Sequence, residues 1–177
     1  MSEIVFAKAT LNDLAGIVAI YDAIHSQEES GQVQIGWNRT IYPTENSARE
    51  SIAAEDMFVA RIDGGVVAAA RINQEQVQPT YSQTPWKYEA ENEQVMVLHT
   101  LVVDPECYGQ RIGPKFVEFY EDYARQAGCT VLRMDTNKIN RRARKMYAGL
   151  GYREAAILPC EFNGIPGVDL VCLEKKL

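Results

Sequence analysis

Residues 98–116 read LHTLVVDPECYGQRIGPKF, residues 131–137 read VLRMDTN, and residues 140–152 read NRRARKMYAGLGY. The first stretch is a nearly continuous apolar strand, followed by a turn with two glycines and the start of a helix. The second is another apolar strand, and the third is a helix that begins at an asparagine and ends at a glycine. This order predicts a parallel or splayed pair of strands joined by a right-handed crossover helix.

The flanking sequence predicts antiparallel hairpins on both sides of this unit. Asp63-Gly64-Gly65 and Asn163-Gly164 are typical of tight hairpin turns. The predicted strands are 4–9, 57–62, 66–72, 95–103, 131–134, 152–162 and 168–173, and the predicted helices are 10–27, 44–55, 114–127 and 140–150. We therefore expect an α/β fold, with a mixed, mostly antiparallel sheet of about seven strands and about four helices on both faces.

The bulk composition predicts an ordinary globular domain. The chain has 177 residues, of which 46% are hydrophobic and 24% charged, so we interpret residues 1–177 as a single domain. The net charge of -6 argues against a nucleic-acid partner, because nucleic-acid affinity depends on clustered Lys and Arg. One basic patch is the exception, and it suits a small polyphosphate; its members are Lys138, Arg141, Arg142, Arg144 and Lys145.

The N-terminal sequence, from Met1 and Ser2 onward, has no apolar core of the signal-peptide type. No stretch approaches the roughly 18 apolar residues that a membrane span needs, so we expect a cytoplasmic protein with no membrane partner. The four cysteines have no CxxC spacing, and the chain has only two histidines. We therefore expect reduced thiols and no metal site.

The turn between Asp104 and Pro114 has the features of an anion site. A turn that enters a helix directs backbone N–H groups and the positive end of the helix dipole at one point. Gly109 and Gly113 would let the backbone approach a ligand, Pro114 suits the first helical position, and Arg111 would add a charge. A simple glycine-assisted turn remains the alternative. The glycine patterns of dinucleotide and Walker sites are absent from this turn.

The last predicted helix contains two candidate polar residues. Asn140 is a good N-cap, and that role alone would explain it. Tyr147 shares a helix face with Ala143 and Leu150, so it could be an amphipathic core residue. A functional role gains weight because one helix, one strand and one turn separate Gly113 from Asn140, which can bring both to the same anion site.

The string Asn140-x-x-Ala143-x-x-x-Tyr147-x-x-Leu150-Gly151-Tyr152, after LHTLVVDPECYGQRIG, resembles the GNAT superfamily of acetyl-CoA-dependent N-acetyltransferases. The resemblance implies a splayed central strand pair, with the pantetheine arm of acetyl-CoA against Leu101, Val102 and Val103. It also implies that Asn140 contacts the cofactor arm and that Tyr147 is the general acid for the departing thiolate. The pyrophosphate would be held by Tyr108, Gly109, Gln110, Arg111, Ile112, Gly113 and Pro114.

Two positions depart from the family pattern. Tyr108 stands where the family prefers Gln or Arg, and Arg111 stands where it has a glycine. We expect cofactor binding to persist, because backbone donors survive these changes. The expected function is transfer of an acetyl group from acetyl-CoA to a primary amine of a small molecule or peptide, by direct attack in a ternary complex. A CoA-binding sensor without transfer activity and a scaffold that binds an acidic partner are the alternatives.

The general base and the acceptor site are less constrained by the sequence. His99 has a suitable pKa range for a base, but it could equally be a structural histidine on the buried side of its strand. The acceptor amine would lie among aromatic residues, namely Trp37, Tyr42, Tyr81, Trp86 and Tyr88. A homodimer through an exposed strand edge or the C-terminal hairpin remains open.

Overall fold

A seven-stranded sheet organises residues 3–177, which are the residues that the computed structural model describes. Met1 and Ser2, where the N-terminal prediction begins, lie outside the described residues. The strands are β1 (Ile4–Lys8), β2 (Met57–Ile62), β3 (Gly65–Asn73), β4 (Val95–Val103), β5 (Val131–Asn137), β6 (Arg153–Phe162) and β7 (Ile165–Lys176).

The strand order across the sheet is β1-β2-β3-β4-β5-β7-β6. Only β4 and β5 pair in parallel, and every other neighbouring pair among the described strands is antiparallel. The two hairpins form where the turn residues predict them, at Asp63-Gly64 and Asn163-Gly164. The predicted mixed, mostly antiparallel sheet of seven strands is therefore confirmed.

Within residues 3–177, five α-helices accompany the sheet, one more than predicted. They are α1 (Leu14–Glu29), α2 (Glu45–Ala53), α3 (Thr80–Gln83), α4 (Ile112–Gln126) and α5 (Arg141–Gly149). The additional helix, α3, is a single turn within the connection between β3 and β4, too short to give a periodic signal in the sequence. Among the described helices, none is long and apolar enough to cross a membrane.

The helices cover both faces of the sheet. On one face α4 and α5 pack on Met96, Leu98 and Leu132. On the other face α1 and α2 pack on β2 and β3. The remaining part of that second face, over β4, β5 and β7, is covered by the β3–β4 segment, which we define as residues 74–94.

The central parallel pair opens toward its C-terminal end. Strands β4 and β5 pair from Val95–Val131 to Leu98–Met134, after which their backbones separate. At the same level β4 has a bulge, because Ala69 opposes Val102 while Arg71 opposes His99. Thr100 lies in this bulge with φ 52°, in the left-handed region that β-branched residues rarely adopt. The predicted splayed strand pair is thus present, and a bulge in β4 coincides with it.

Candidate active site

A cavity of about 950 Å³ lies between the separated ends of β4 and β5. It extends from the turn before α4, past the start of α5, to the loop between α1 and α2. Twelve of the thirteen residues that the sequence predicts for the site line it, and Gln110 does not. The twelve are His99, Leu101, Val102, Val103, Tyr108, Gly109, Arg111, Ile112, Gly113, Pro114, Asn140 and Tyr147.

The turn before α4 leaves several backbone amides at the cavity wall. Residues Pro105–Cys107 form a 3₁₀ turn, and Gly109 has φ 85° with open space where a side chain would be. Helix α4 then begins at Ile112, so Pro114 is its third residue and the prediction of the first helical position is wrong. The free N–H groups of the first turn and the positive end of the helix dipole still favour binding of an anion at this position.

Gly113 has a packing role that differs from the predicted one. A Cβ at this position would lie 3.1 Å from the sulfur of Met146 in α5. Gly113 therefore lets α4 and α5 come close together at the cavity, and the open backbone for a ligand is at Gly109.

Tyr108, one of the two departures from the family pattern, connects three elements. Its hydroxyl donates a hydrogen bond to Oε1 of Gln27 in α1 at 3.3 Å. The Arg142 guanidinium of α5 lies 3.7 Å from the centre of its ring. The tyrosine thereby joins the turn to helices on either side of the cavity. Gln and Arg have no aromatic ring on which the Arg142 guanidinium could stack.

The basic patch divides into two parts in the structure. Arg144 forms a bidentate ion pair with Glu154, at 2.8 and 2.9 Å. Arg141 and Arg142 line the cavity, whereas Lys138 and Lys145 do not. Two arginines, joined by Arg111 from the turn, are therefore available to an anionic ligand at this end of the cavity.

Arg111, the second departure, is the N-cap of α4 and has φ 60°. Left-handed backbone costs a residue with a side chain about 1 kcal/mol or more, and Gly is also the better N-cap than Ala. We expect the free energy of unfolding of Arg111→Gly to exceed that of Arg111→Ala by about 1 kcal/mol. Urea denaturation measures the difference. The two variants remove the same charge, so they should lose the same affinity for acetyl-CoA. Equal stabilities would contradict the strain assigned to this position.

Asn140 performs the local role that its sequence position predicts. Its Oδ1 accepts a hydrogen bond from the N–H of Ala143 at 3.2 Å, as an N-cap does. Within residues 3–177 the Nδ2 amide of Asn140 has no hydrogen-bond partner, and the residue lines the cavity. The capping oxygen thus orients an amide donor that is free for a ligand.

Tyr147 lies at the cavity with only 6% of its surface exposed. Its ring meets the ring of Tyr152 edge to face, with the centroids 5.9 Å apart. Burial, and secondly the charge of Asp135, raise the pKa of Tyr147 well above its usual value. Because of this raised pKa, the phenol keeps its proton. No group in residues 3–177 hydrogen-bonds the hydroxyl, so it is free to donate into the cavity.

His99 is held in one tautomer by its neighbour on β3. Its Nε2 lies 2.8 Å from Oδ1 of Asn73, and the Nδ2 of that amide donates to Asp56. Because Oδ1 can only accept, Nε2 has the proton. Burial, and secondly the charge of Arg71, lower the pKa of His99 to about 3. The imidazole is therefore neutral near pH 7 and is a weak base.

Asp135 is a cavity residue that the sequence analysis missed. It lies in β5, one residue beyond the predicted end of the strand, and its Oδ2 accepts a hydrogen bond from the hydroxyl of Tyr81 at 2.7 Å. Burial raises the pKa of Asp135 to about 7, and the bond from Tyr81 opposes that rise. An acidic residue directly after a buried apolar strand was the available signal.

The aromatic residues predicted for the acceptor wall fall into two groups in the structure. Trp37 and Tyr42 line the cavity. Tyr81, Trp86 and Tyr88 pack instead with the valines and leucines of β4, β5 and β7, so their assignment to the acceptor wall is wrong. The physical reason is that the face of these strands would otherwise expose apolar side chains to water.

The α1–α2 loop, residues 30–44, is fixed over the cavity by polar contacts. The carboxylate of Glu28 accepts hydrogen bonds from the N–H groups of Ile35 and Gly36, at 2.7 and 2.9 Å. Tyr42 forms a short hydrogen bond with the hydroxyl of Thr100 in the bulge of β4. The loop that provides the aromatic wall is thus connected directly to the strand that lines the cavity.

The bulge leaves part of β4 without a strand partner. Thr100 and Leu101 are paired with no residue of β3 or β5 in the described structure. Leu101 lines the cavity at this level. The cavity therefore reaches β4 at a level where the strand has no register partner on either side.

A family model described as "Acetyltransferase (GNAT) family" matches residues 17–152. The chain is similar to YhfO, an uncharacterised N-acetyltransferase of Bacillus subtilis (strain 168). The two are 31% identical over 108 residues, which are 57% of this chain and 68% of that protein.

Solved structures share the whole fold at low sequence identity. An acetyltransferase of the GNAT family from Listeria monocytogenes 4b F2365 matches with a TM-score of 0.75 and 16% identity, over 99% of this chain and 96% of that chain. A candidate acetyltransferase from Salmonella typhimurium, yncA, was solved with its cofactor acetyl-CoA. It matches with a TM-score of 0.67 and 18% identity, over 98% of this chain and 94% of that chain.

Proposed function

The chain belongs to the acetyltransferase (GNAT) family, and from this premise we propose that it moves an acetyl group from acetyl-CoA to a primary amine of a small molecule or peptide. The amine would attack directly, in a ternary complex. One observation carries the proposal: a neutral phenol and a carboxyl with a pKa near neutrality line the same cavity, beside an anion site.

The residues of the cavity fit acetyl-CoA. The start of α4 offers free backbone N–H groups where Gly109 leaves open space. Arg111, Arg141 and Arg142 supply positive charge at the same end, which suits the phosphates. The part of β4 at Leu101, which has no register partner in β3 or β5, suits the amide groups of an extended pantetheine arm. When bound, acetyl-CoA supplies an activated acyl group and a thiolate leaving group.

Tyr147 is the proposed general acid. Its high pKa keeps the proton on the oxygen at neutral pH, and its hydroxyl has no competing acceptor in residues 3–177. A proton donated by this phenol would neutralise the departing sulfur. The backbone N–H of Leu101 is the proposed donor to the negative charge that develops on the carbonyl oxygen.

We assign the general base to Asp135 in preference to His99. A base works best when its pKa lies near the working pH, and the pKa of Asp135 is about 7 whereas that of His99 is about 3. The two candidate bases lie on neighbouring strands at the same cavity. His99 has the alternative role of orienting Asn73 and the bulge of β4.

The first test is binding. Acetyl-CoA at 100 times its Kd should stabilise the protein by about 2.7 kcal/mol, which for a chain of this size raises Tm by roughly 5–10 °C. ADP, which lacks the pantetheine arm, is the control and should give a smaller rise. No change in Tm with saturating acetyl-CoA would contradict the proposed site.

The second measurement separates an enzyme from a CoA-binding sensor. Release of free thiol from acetyl-CoA is followed with a panel of amines, which includes amino acids, polyamines and peptides with a free N-terminus. Release that depends on one class of amine supports acetyl transfer. Binding of acetyl-CoA without amine-dependent release would favour the sensor.

A further inference from the structure

The Asp135 carboxyl is joined by a hydrogen bond to Tyr81 of the β3–β4 segment, a residue that does not itself line the cavity. The Tyr81 hydroxyl donates a hydrogen bond to Oδ2 of Asp135 at 2.7 Å, and only 1% of Tyr81 is exposed. The ring of Trp86 meets the Tyr81 ring edge on, at 5.2 Å, and its Nε1 donates to the Tyr81 carbonyl oxygen at 2.8 Å. The phenol of Tyr81 is therefore fixed by packing and by its main chain.

Two buried charged residues hold this segment against the sheet. Arg133 of β5 and Glu174 of β7 are register partners, and both are buried. The Arg133 guanidinium lies 4.3 Å from the Trp86 ring centre, and its Nη2 donates to the Tyr88 carbonyl oxygen at 3.2 Å. Glu174 accepts from the N–H of Lys87 at 2.8 Å.

Covering the apolar face of the strands does not require the contacts that Arg133 and Glu174 make with the β3–β4 segment. Burying charged groups is unfavourable, and valines and leucines alone would satisfy the strands below. Arg133 even leaves its buried Nε without a partner in residues 3–177. What the two charges fix is the main chain beside Trp86, and through Trp86 the position of the Tyr81 phenol.

We propose that Tyr81 is a positioning residue of the active site, whose hydroxyl holds the Asp135 carboxylate in the orientation that receives the proton of the acceptor amine. The proposal rests on the function proposed above. It makes Tyr81 part of the catalytic apparatus through a contact beneath the cavity, because Tyr81 itself does not line the cavity.

The other groups that face Asp135 do not titrate near neutrality. Tyr42 reaches it from the α1–α2 loop, Tyr147 from α5, and Cys160 and Cys172 from β6 and β7. Burial raises the pKa of all four, that of Cys172 to about 11. A titration near pH 7 at this point therefore belongs to the Asp135 carboxyl. The hydrogen bond from Tyr81 favours its ionised form, so removing that bond should raise its pKa.

The test compares Tyr81→Phe with Tyr88→Phe, which removes a hydroxyl from the same segment without a contact to Asp135. The carboxyl carbon of Asp135 is titrated by NMR, a measurement that needs no turnover. We expect Tyr81→Phe to raise the pKa of Asp135 by about one unit, the size of one lost hydrogen bond to a charged group. The acid limb of the kcat profile should move by the same amount, with KM for the amine unchanged, and Tyr88→Phe should match the wild-type protein.

An Asp135 titration in Tyr81→Phe that coincides with the wild-type curve would overturn the proposal, whatever the activity. The same holds if Tyr88→Phe shifts it equally, because the effect would then be general loosening of the segment. Failure of the proposed function has a different signature, namely no amine-dependent thiol release by the wild-type protein. The carboxyl titration remains decisive for Tyr81 in that case too.

Discussion

Tyr147→Phe is expected to lower the rate of amine-dependent thiol release by about 100-fold or more, the usual contribution of a positioned general acid. The change removes one oxygen and keeps the ring that packs against Tyr152. Because the hydroxyl has no partner in residues 3–177, its loss leaves no internal group unsatisfied. We therefore expect Kd for acetyl-CoA and the free energy of unfolding to remain close to the wild-type values.

Tyr152→Phe is the matched control, and it should behave in the opposite way. The Tyr152 hydroxyl donates to Oε1 of Glu121 at 3.0 Å, inside the core and away from the cavity. Its loss should cost about 1–3 kcal/mol of stability and leave turnover unchanged. Equal turnover in wild-type protein and Tyr147→Phe would remove Tyr147 from the role of general acid.

Asp135→Asn is expected to lower turnover by about 100-fold or more and to abolish the acid limb of the pH profile near pH 7. Asparagine can still accept the hydrogen bond from Tyr81, so the packing beneath the cavity should persist. An amide cannot take the proton of the acceptor amine. The measurement is kcat between pH 5 and 9 with the best acceptor of the amine panel.

The same substitution should remove a loss of stability that the wild-type protein undergoes as pH rises toward 7. The folded-state pKa of Asp135 is about 7, above the unfolded value of 3.8, so the folded protein binds more protons between these values. Its stability therefore falls as pH rises through this window. Asp135→Asn lacks that titration. The Tm of the variant, relative to the Tm of the wild-type protein, should therefore rise as the pH is raised from 4 to 8. A fall in Tm relative to wild type over this range would contradict the raised pKa.

His99→Gln distinguishes the two candidate bases. A glutamine can still donate to Asn73, which keeps the bulge of β4 in place. We expect turnover to fall by less than tenfold and the acid limb to stay near pH 7, because the imidazole is neutral across the range. Loss of the acid limb in His99→Gln, together with its retention in Asp135→Asn, would return the role of base to His99.

Local patterns in the sequence determined the element order and most of the cavity lining near the starts of α4 and α5. The Asp63-Gly64-Gly65 and Asn163-Gly164 turns, the Thr44 cap and the glycine-containing turn before α4 each act within a few residues, so their structures follow from their own chemistry. The buried character of β4 and β5 likewise identified the central parallel pair. The family membership followed from the same contiguous stretch.

Only the tertiary structure decided which distant residues meet at and beneath the cavity. Tyr81 and Asp135 are 54 positions apart, and their contact depends on how the β3–β4 segment lies across three strands. The same packing buries Tyr81, so an aromatic residue predicted for the pocket is part of the core. Sequence periodicity states which side chains are apolar, but it does not state which sheet face a long connection will cover. The pKa of Asp135 has the same origin, because burial is a property of the assembled fold and not of the residue.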